Sequence, residues 1–275
     1  MSGTLYLVGT PIGNLGDFSP RAAETLQNVD FIAAEDTRVT LKLMNHFGIK
    51  KQLISYYEHN KAESAAVIIP RLLGGESCAL VTDAGMPAIS DPGEDLVRQC
   101  AEAGIPIASV PGPSAVVTAL AMSGLPTQRF TFEGFLSTSG KSRREHLASL
   151  KEEKRTMVIY EAPHKLVETL SDLLDTLGDR DVALCRELTK LHEETMRTTL
   201  AEAVTYYENS EPRGEYVLVV EGRAKTNGPQ MTLAQGVAMV VKRKAEGMKM
   251  KEAVRSVADD TGLNRNELYE AALKI

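Results

Sequence analysis

Two adjacent carboxylates beside an arginine are the residues of this sequence most suited to acid–base chemistry. Glu35 and Asp36 follow the apolar run FIAA, and Arg38 comes two residues later. A carboxylate can take the proton of a reacting hydroxyl, and a guanidinium can hold a phosphate. The same residues would also suit a structural ion pair, and the sequence leaves both interpretations open.

Three further loops follow apolar runs and carry glycine, proline or acidic residues. They are GTPIGN at 9–14, TDAGMPAISDP at 82–92 and PGPSA at 111–115. Asp83 could accept hydrogen bonds from a ligand hydroxyl or ammonium, and the third loop could offer helix N–H groups to a carboxylate. The structural alternatives are a tight turn, a helix-capping Asp-Pro loop and a rigid connector. Neither a GxGxxG fingerprint nor a phosphate-binding P-loop is present.

The elements that must position these loops alternate between strand and helix. Apolar runs predict strands at 4–9, 31–35, 52–57, 78–84 and 106–110. Capping residues such as Ser19-Pro20 and Ser114 predict helices between or after them. This alternation predicts an α/β fold with a mostly parallel sheet, at whose carboxyl edge ligands bind.

The remainder of the chain predicts a second α/β part and a helical end. Strands are expected at 129–135, 156–162, 181–188 and 215–222, and three helices at 232–245, 249–259 and 265–273. The segment 223–230 has the composition of a linker. The last two helices are similar to a helix-turn-helix, with a plain helical cap as the alternative. The predicted domains are therefore 1–125, 126–224 and 225–275.

Charge is distributed unevenly along the 275 residues. With 31 Lys and Arg against 37 Asp and Glu, the net charge is −6, which weighs mildly against nucleic acid as a partner. Residues 225–275 nevertheless carry nine basic and six acidic residues, and Lys141 to Arg155 carry six and three. Each stretch is either a solvated helical face or a local contact to phosphate.

The sequence argues against several classes of protein. The longest uncharged stretch, between Glu102 and Arg129, is interrupted by prolines and glycines, so no membrane span is predicted. The first residues lack the pattern of a signal peptide. Cys78, Cys100 and Cys185 are widely spaced, so neither a disulfide framework nor a metal site is expected, and a cytoplasmic location fits best.

Six segments, taken together, resemble the tetrapyrrole methylase superfamily of S-adenosylmethionine-dependent methyltransferases. More narrowly, they are similar to its small-subunit ribosomal RNA (cytidine 2′-O) methyltransferases. The segments are LYLVGTPIGNLGD (5–17), AAEDTR (33–38), VTDAGMPAISDPG (81–93), VPGPSA (110–115), YEAPHKL (160–166) and RELTKLHEE (186–194). One departure is informative: porphyrin-modifying relatives carry Gly-Asp-Pro where this chain has Thr82-Asp83-Ala84.

The resemblance implies two α/β domains with the methyl donor, in a folded conformation, in the cleft between them, and a homodimer. It implies that S-adenosylmethionine is the cofactor and a cytidine ribose in the decoding region of small-subunit rRNA the substrate, within an assembled subunit. No membrane partner is implied. The donor-contacting residues carried over are Pro11, Asp83, Ala84, Gly85, Met86, Ser114, Ala115, Tyr160, Glu161, Ala162, Leu188 and Gly214.

Methyl transfer to a ribose hydroxyl needs alignment and a proton acceptor. Alignment can supply about 7–11 kcal/mol of the barrier reduction, and proton removal typically about 10²–10⁴-fold in rate. The expected acceptors are Asp36 and Glu35, with Arg38 placing a phosphate, and His164 and Lys165 are second choices. Two other functions stay open: methylation of a tetrapyrrole or a protein side chain, and DNA binding through residues 249–273.

Overall fold

The computed structural model describes residues 2–224 and 231–274. Its contacts separate two compact units, one ending at Arg223 and one beginning at Ala224, and each is described by itself. Most of the predicted linker at 223–230 lies outside the described residues. The three-part division at 125/126 and 224/225 stays a prediction.

The first sheet of the larger unit is entirely parallel. Its strand order is β3-β2-β4-β1-β5. All four residues of β2 and of β4 are buried, as expected for central strands covered by helices on both faces. The predicted mostly parallel sheet is thus confirmed. The strands are β1 (Leu5–Val8), β2 (Phe31–Ala34), β3 (Gln52–Ser55), β4 (Cys78–Val81) and β5 (Ile107–Val110).

Five helices connect or follow these strands: α1 (Pro20–Asn28), α2 (Thr37–His46), α3 (Lys61–Leu73), α4 (Gly93–Glu102) and α5 (Ala115–Ser123). The predicted start of α1 is confirmed, because the Ser19 side chain accepts a hydrogen bond from the backbone N–H of Ala22. Helix α2 begins at Thr37, directly after Asp36. Asp36 caps this helix, since its carboxylate accepts from the backbone N–H of Arg38 and an ionised acceptor binds that N–H more strongly.

The second sheet is mixed. Its order is β6-β7-β10-β8-β9, in which only the β6–β7 pair is parallel. The sequence prediction missed β9, because ETMRTT has one large apolar residue in six positions, a composition that an edge strand tolerates. The strands are β6 (Phe130–Phe135), β7 (Thr156–Glu161), β8 (Asp181–Arg186), β9 (Glu194–Thr199) and β10 (Tyr216–Val220).

Helices cover one face of this second sheet: α6 (Gly140–Leu150), α7 (Leu166–Leu177) and α8 (Leu200–Glu208). The basic stretch 141–155 forms α6 and the turn after it. It is not uniformly solvated, because Arg143 is buried, its Nε donating to Asp172 at 2.7 Å. One of the six basic residues in this stretch is therefore structural.

Helix α5 covers the opposite face of the second sheet, although it directly follows the first sheet in the chain. Its Val116, Ala119 and Leu120 pack against Val217 and Val219 of β10. At its end, the Arg197 guanidinium of β9 donates to the carbonyl oxygens of Met122 and Ser123. One helix therefore fixes the two sheets relative to each other inside this unit.

The smaller unit contains α9 (Leu233–Ala245), α10 (Met250–Thr261) and α11 (Arg265–Ala272). They pack around a small core that includes Val240, Val257 and Leu268. Gly262, with φ +70°, ends α10, and the Asn264 side chain caps α11. The predicted three-helix arrangement is confirmed.

Two properties of the described residues concern membrane spans and cysteine chemistry. None of their helices is long and apolar enough to cross a membrane. Cys78, Cys100 and Cys185 are all buried free thiols. Burial raises the pKa of Cys78 to about 12 and that of Cys100 to about 11.

Candidate active site

The loops after β1, β4 and β5 meet at the carboxyl edge of the first sheet. Thr10 and Gly85 exchange backbone hydrogen bonds of 2.9 and 3.2 Å. Gly9 and Gly112 cross so closely that a Cβ on Gly112 would lie 2.9 Å from the Gly9 Cα. Both positions require glycine for this close approach of two backbones. The sequence-predicted loops are therefore brought together.

The loops after β2 and β4 are joined by reciprocal hydrogen bonds from carboxylates. The Glu35 carboxylate accepts from the Thr82 hydroxyl at 2.5 Å and from the Asp83 N–H at 3.4 Å. In return, the Asp83 carboxylate accepts from the Asp36 N–H at 3.0 Å. These bonds fix the carboxyl groups of Glu35 and Asp83 at one end of the sheet.

The environments of Asp36 and Asp83 shift their pKa values in opposite directions. The Arg38 guanidinium, donating to both oxygens of Asp36, is the main reason that the pKa of Asp36 falls to about 2. Asp83 keeps some solvent contact, but loss of hydration in the cleft and then the charge of Glu35 raise its pKa. Asp83 therefore binds a proton more readily than Asp36 while Arg38 is in place.

A cavity of about 430 Å³ opens between this edge of the first sheet and the second sheet. Ligand sites in proteins commonly have this size. Its lining is Ile12, Glu35, Thr82, Ala84, Gly85, Met86, Ile89, Ser90, Asp91, Ser114, Ala115, Phe135, Tyr160, Glu161, Ala162, Pro163, Cys185, Leu188, Glu215, Tyr216 and Val217.

The lining is apolar with an acidic bias. Among the described residues that form it, four carry a carboxylate, namely Glu35, Asp91, Glu161 and Glu215, and none is lysine, arginine or histidine. Burial raises the pKa of Asp91, because its charged form is poorly hydrated there. Such a cavity favours a ligand with an apolar or aromatic body and positive charge.

On the side of the second sheet, a buried polar network holds Glu161. Its two oxygens accept from the Ala162 N–H at 2.8 Å and from the Thr169 hydroxyl at 2.5 Å. Thr169 in turn accepts from Arg143 at 2.9 Å, and Arg143 is paired with Asp172. A satisfied buried network of this kind fixes the orientation of its members.

Aromatic rings form the wall next to Glu161. The Tyr160 ring lies edge-on to Phe132 and Phe135, with ring centroids 5.0 and 5.6 Å apart. Burial raises the pKa of Tyr160, so its hydroxyl stays neutral at physiological pH. This wall is suited to packing against a planar ligand group.

Backbone strain concentrates beside the cavity. Ala88 and Ser90 have φ values of +67° and +60°, and Glu187 and Thr189, on either side of Leu188, have +50° and +64°. Such non-glycine conformations cost of order 1–3 kcal/mol each and cluster at functional sites. Asp91 holds the first pair in place, because its carboxylate accepts from the Ile89 and Gly93 N–H groups.

Most of the residues carried over by resemblance line this cavity, but some do not. Nine of them are in the lining: Ala84, Gly85, Met86, Ser114, Ala115, Tyr160, Glu161, Ala162 and Leu188. Pro11, Asp83 and Gly214 lie outside it, each next to a lining residue. Gly214 has φ +82°, and a Cβ there would lie 2.5 Å from the Glu187 side chain.

Of the residues expected to take part in proton transfer, some line the cavity and others do not. Glu35 lines the cavity, whereas Asp36 and Arg38 do not, and the Arg38 side chain is 87% exposed. His164 and Lys165, the second choices, also lie outside the lining, although Pro163 belongs to it.

Sequence reasoning missed Phe135, Cys185, Glu215, Tyr216 and Val217 as lining residues. Phe135 and Tyr216 stand at strand ends and Glu215 directly follows the predicted Gly214, but nothing in these residue types signals a ligand. From the sequence, Asp91 signals only the Asp-Pro start of a helix. In the described part of the chain, no three His, Cys, Asp or Glu residues are grouped as metal ligands would be.

Known proteins are similar to this chain in sequence and in fold. Residues 4–204 match the family of tetrapyrrole (corrin/porphyrin) methylases, and residues 234–275 match the family described as the RsmI C-terminal HTH domain. A ribosomal RNA small subunit methyltransferase I of Synechocystis sp. is 47% identical over 274 residues, which cover 99% of this chain and 98% of that protein.

Two further comparisons each cover about four-fifths of this chain. A protein of the same name from Thermotoga maritima is 49% identical over 221 residues, 80% of this chain and 99% of that protein. The structure of a uroporphyrin-III C-methyltransferase from Thermus thermophilus, complexed with S-adenyl homocysteine, has a TM-score of 0.55 at 18% identity, covering 79% of this chain and 97% of that one. At this identity the likeness shows the fold, which is the one expected from the sequence.

Proposed function

Because the chain belongs to the tetrapyrrole (corrin/porphyrin) methylase family, and within it to the ribosomal RNA small subunit methyltransferases, we propose that it methylates small-subunit rRNA. The methyl donor is S-adenosylmethionine, and the acceptor is the ribose 2′-hydroxyl of a cytidine in the decoding region. The acceptor assignment rests on the resemblance of the sequence segments, not on any base-reading residue.

The observation that carries the proposal is the acidic, apolar cavity between the sheets. S-adenosylmethionine combines a sulfonium cation, an ammonium group and an adenine ring, and it supplies a methyl group that is already activated. Glu35, Asp91 and Glu161 would complement its positive charge, and the wall at Tyr160 would pack against the ring. Ala84, Gly85, Met86, Ser114, Ala115, Ala162 and Leu188 would contact the rest, with Pro11, Asp83 and Gly214 supporting these loops.

The reacting hydroxyl must lose a proton, and we assign this role to the carboxylates after β2. Asp36 is a weak base while Arg38 holds it, because its pKa is about 2. A phosphate of the bound RNA would compete for the exposed Arg38 guanidinium and thereby increase the basicity of Asp36. Glu35 lines the cavity and is the second acceptor. This scheme makes Arg38 both a phosphate contact and a control on Asp36.

Single-turnover rates of methyl transfer distinguish the two candidate proton acceptors. In Asp36→Asn and Glu35→Gln variants assayed at saturating donor, the acceptor is the residue whose loss lowers the single-turnover rate by about 10²-fold or more. If Asp36→Asn retains full turnover, Asp36 is not the acceptor.

The remaining features of the proposal come from the family. We place the enzyme in the cytoplasm as a homodimer acting on the assembled small subunit, with domains 1–125, 126–224 and 225–275. Light scattering of the purified protein tests the dimer, because a monomeric mass at micromolar concentration would exclude it as the stable state.

The deciding experiment uses labelled S-adenosylmethionine with unmodified small subunits, and protein-free rRNA alongside. We expect label in the ribose of one cytidine. Label on neither substrate, with donor binding intact, would contradict the rRNA assignment. Tetrapyrroles and protein side chains, on which the alternative function acts, would then be the next substrates.

A further inference from the structure

The smaller unit carries most of its positive charge in one short stretch. From residue 242 to residue 251 there are five lysines and arginines and one glutamate, a net charge of +4. This stretch covers the last turn of α9, the connecting turn and the first residues of α10. Its four lysines, named here the basic corner, are Lys242, Lys244, Lys249 and Lys251.

The basic corner is available to a partner. All four lysines are exposed, and none of them forms an ion pair with an acidic residue in the described part of the chain. Arg243, within the same stretch, differs: its guanidinium donates to Asp260 at 2.6 Å and to Ser256 at 2.5 Å, which ties α9 to α10. Arg243 therefore has a structural role in this unit, whereas none of the four lysines pairs with a carboxylate in the described residues.

The helix that a helix-turn-helix normally presents to nucleic acid has the opposite charge. In that motif the second helix enters the groove and contacts base edges. The corresponding helix here, α11, carries Arg265, Glu267 and Glu270, all exposed, a net charge of −1. Residues 250–272, the whole motif, carry three basic and five acidic residues. Phosphates would be repelled from the surface that the motif usually offers.

We propose that the basic corner, and not α11, binds the phosphate backbone of small-subunit rRNA. The proposal deepens the proposed function and rests on it. Residues 1–224 carry 22 basic and 31 acidic residues, so contact with RNA depends on local positive charge. Lysines act as point charges and read no base, while Met248, 41% exposed among them, can pack against a ribose. The corner therefore provides docking without sequence recognition.

Two full-length double variants with equal change of charge test this inference. Lys242→Glu with Lys249→Glu removes half of the corner, and Arg265→Glu with Lys274→Glu is the matched control at and beyond α11. Dissociation constants for unmodified small subunits and for protein-free small-subunit rRNA are measured by filter binding over a range of salt concentrations. Far-UV circular dichroism and donor affinity confirm that each variant is folded.

We expect the corner variant to bind both RNA probes at least about tenfold more weakly, with a salt slope reduced by roughly 1.4–1.8. The control should change the dissociation constant less than twofold. An equal or larger loss in the control, or an unchanged affinity of the corner variant, would overturn the proposal. So would a loss restricted to assembled subunits, because it would identify a ribosomal protein as the partner.

Methyl transfer by the same proteins keeps this test separate from the proposed function. At saturating subunit concentration the corner variant should retain the wild-type turnover number, because the donor cavity is unchanged. If wild-type protein transfers no label to rRNA, the proposed function fails, whereas the docking inference is still judged by the dissociation constants.

Discussion

Among single residues, Asp36 shows most clearly how one neighbour sets the chemistry of a carboxylate. Arg38 lies two residues away, is mostly exposed and contacts both oxygens of Asp36. An exposed pair of this kind contributes little to stability. Its effect is on proton affinity, which is the property that a proton acceptor needs.

The substitution Arg38→Gln is predicted to raise the pKa of Asp36 from about 2 toward its ordinary value of 3.8. The physical reason is the loss of the charged donor, since an adjacent opposite charge lowers a carboxyl pKa by about 1–3 units. Carboxyl carbon chemical shifts followed over pH measure the change directly. An unchanged titration would show that the backbone N–H of Arg38 alone sets the value.

Asp91 gives the opposite dependence on pH. Its folded-state pKa is raised by burial, so protonation is easier in the folded than in the unfolded protein. This contribution to stability is fully present below the unfolded pKa of about 3.8 and is lost as pH rises through the folded pKa.

We therefore predict that the free energy of unfolding of the wild type, relative to Asp91→Asn, increases as pH falls from about 7 to about 4. Denaturant unfolding of the two proteins at several pH values tests this. Parallel curves for the two proteins would exclude Asp91 as the source.

At the scale of elements, the crossing of the loops after β1 and β5 leaves no space for a side chain. We predict that Gly112→Ala destabilises the protein by about 1–3 kcal/mol, because the new Cβ would press on the Gly9 backbone and backbone cannot move aside cheaply. Donor affinity should fall as well.

Gly140→Ala is the matched control. It lies in the first turn of α6, where a Cβ would meet only the flexible end of Arg144 at 3.5 Å. Its stability should be unchanged or slightly higher, since alanine favours the helix. Equal destabilisation by both substitutions, measured by thermal unfolding, would contradict the role of the crossing.

Helix α5 connects the two sheets, and Arg197 holds its end. We predict that Arg197→Leu weakens donor binding severalfold, although Arg197 does not line the cavity. The helix begins at Ala115, which does line it, and the substitution leaves the carbonyl oxygens at its other end without their charged donor. Titration calorimetry with S-adenosylmethionine measures the effect, and unaltered affinity would refute the coupling.

These elements show what the sequence could and could not predict. The parallel strands and their loops were predictable, because buried central strands are continuous apolar runs bounded by glycine and proline. The polar edge strand β9 was not, since its pairing with β8 supplies what its composition lacks. The packing of α5 on the second sheet was also hidden, because an apolar helix does not reveal which surface will cover it.

The candidate site, too, is only partly predictable from the sequence. Residues 82–86 and 114–115 follow strands of the first sheet, so the topology alone brings them together. Tyr216 and Val217 belong to a strand whose sequence is typical of a buried core strand. They line the cavity only because of the strand order in the mixed sheet. Opposing pKa shifts of neighbouring carboxyl groups depend on distances that no sequence pattern fixes.

At the scale of the whole molecule, the proposed active site and the proposed docking surface belong to different units. The cavity lies entirely within residues 12–217.

We predict that a chain ending at Arg223 keeps the wild-type dissociation constant for S-adenosylmethionine and binds small subunits at least about tenfold more weakly. The expected loss follows from removing the basic corner and its phosphate contacts. Calorimetry and filter binding give the two constants. Undiminished subunit affinity would show that the larger unit alone holds the RNA.

The buried thiols have a practical consequence for studying motion. Maleimide dyes react with exposed thiolates, and Cys78, Cys100 and Cys185 are neither exposed nor readily ionised. The unmodified chain should thus remain unlabelled at neutral pH. Paired substitutions at exposed positions, such as Glu63→Cys and Glu246→Cys, would then accept a donor and an acceptor fluorophore without prior removal of native cysteines. Single-molecule energy transfer could follow the two units as the enzyme meets a ribosomal subunit.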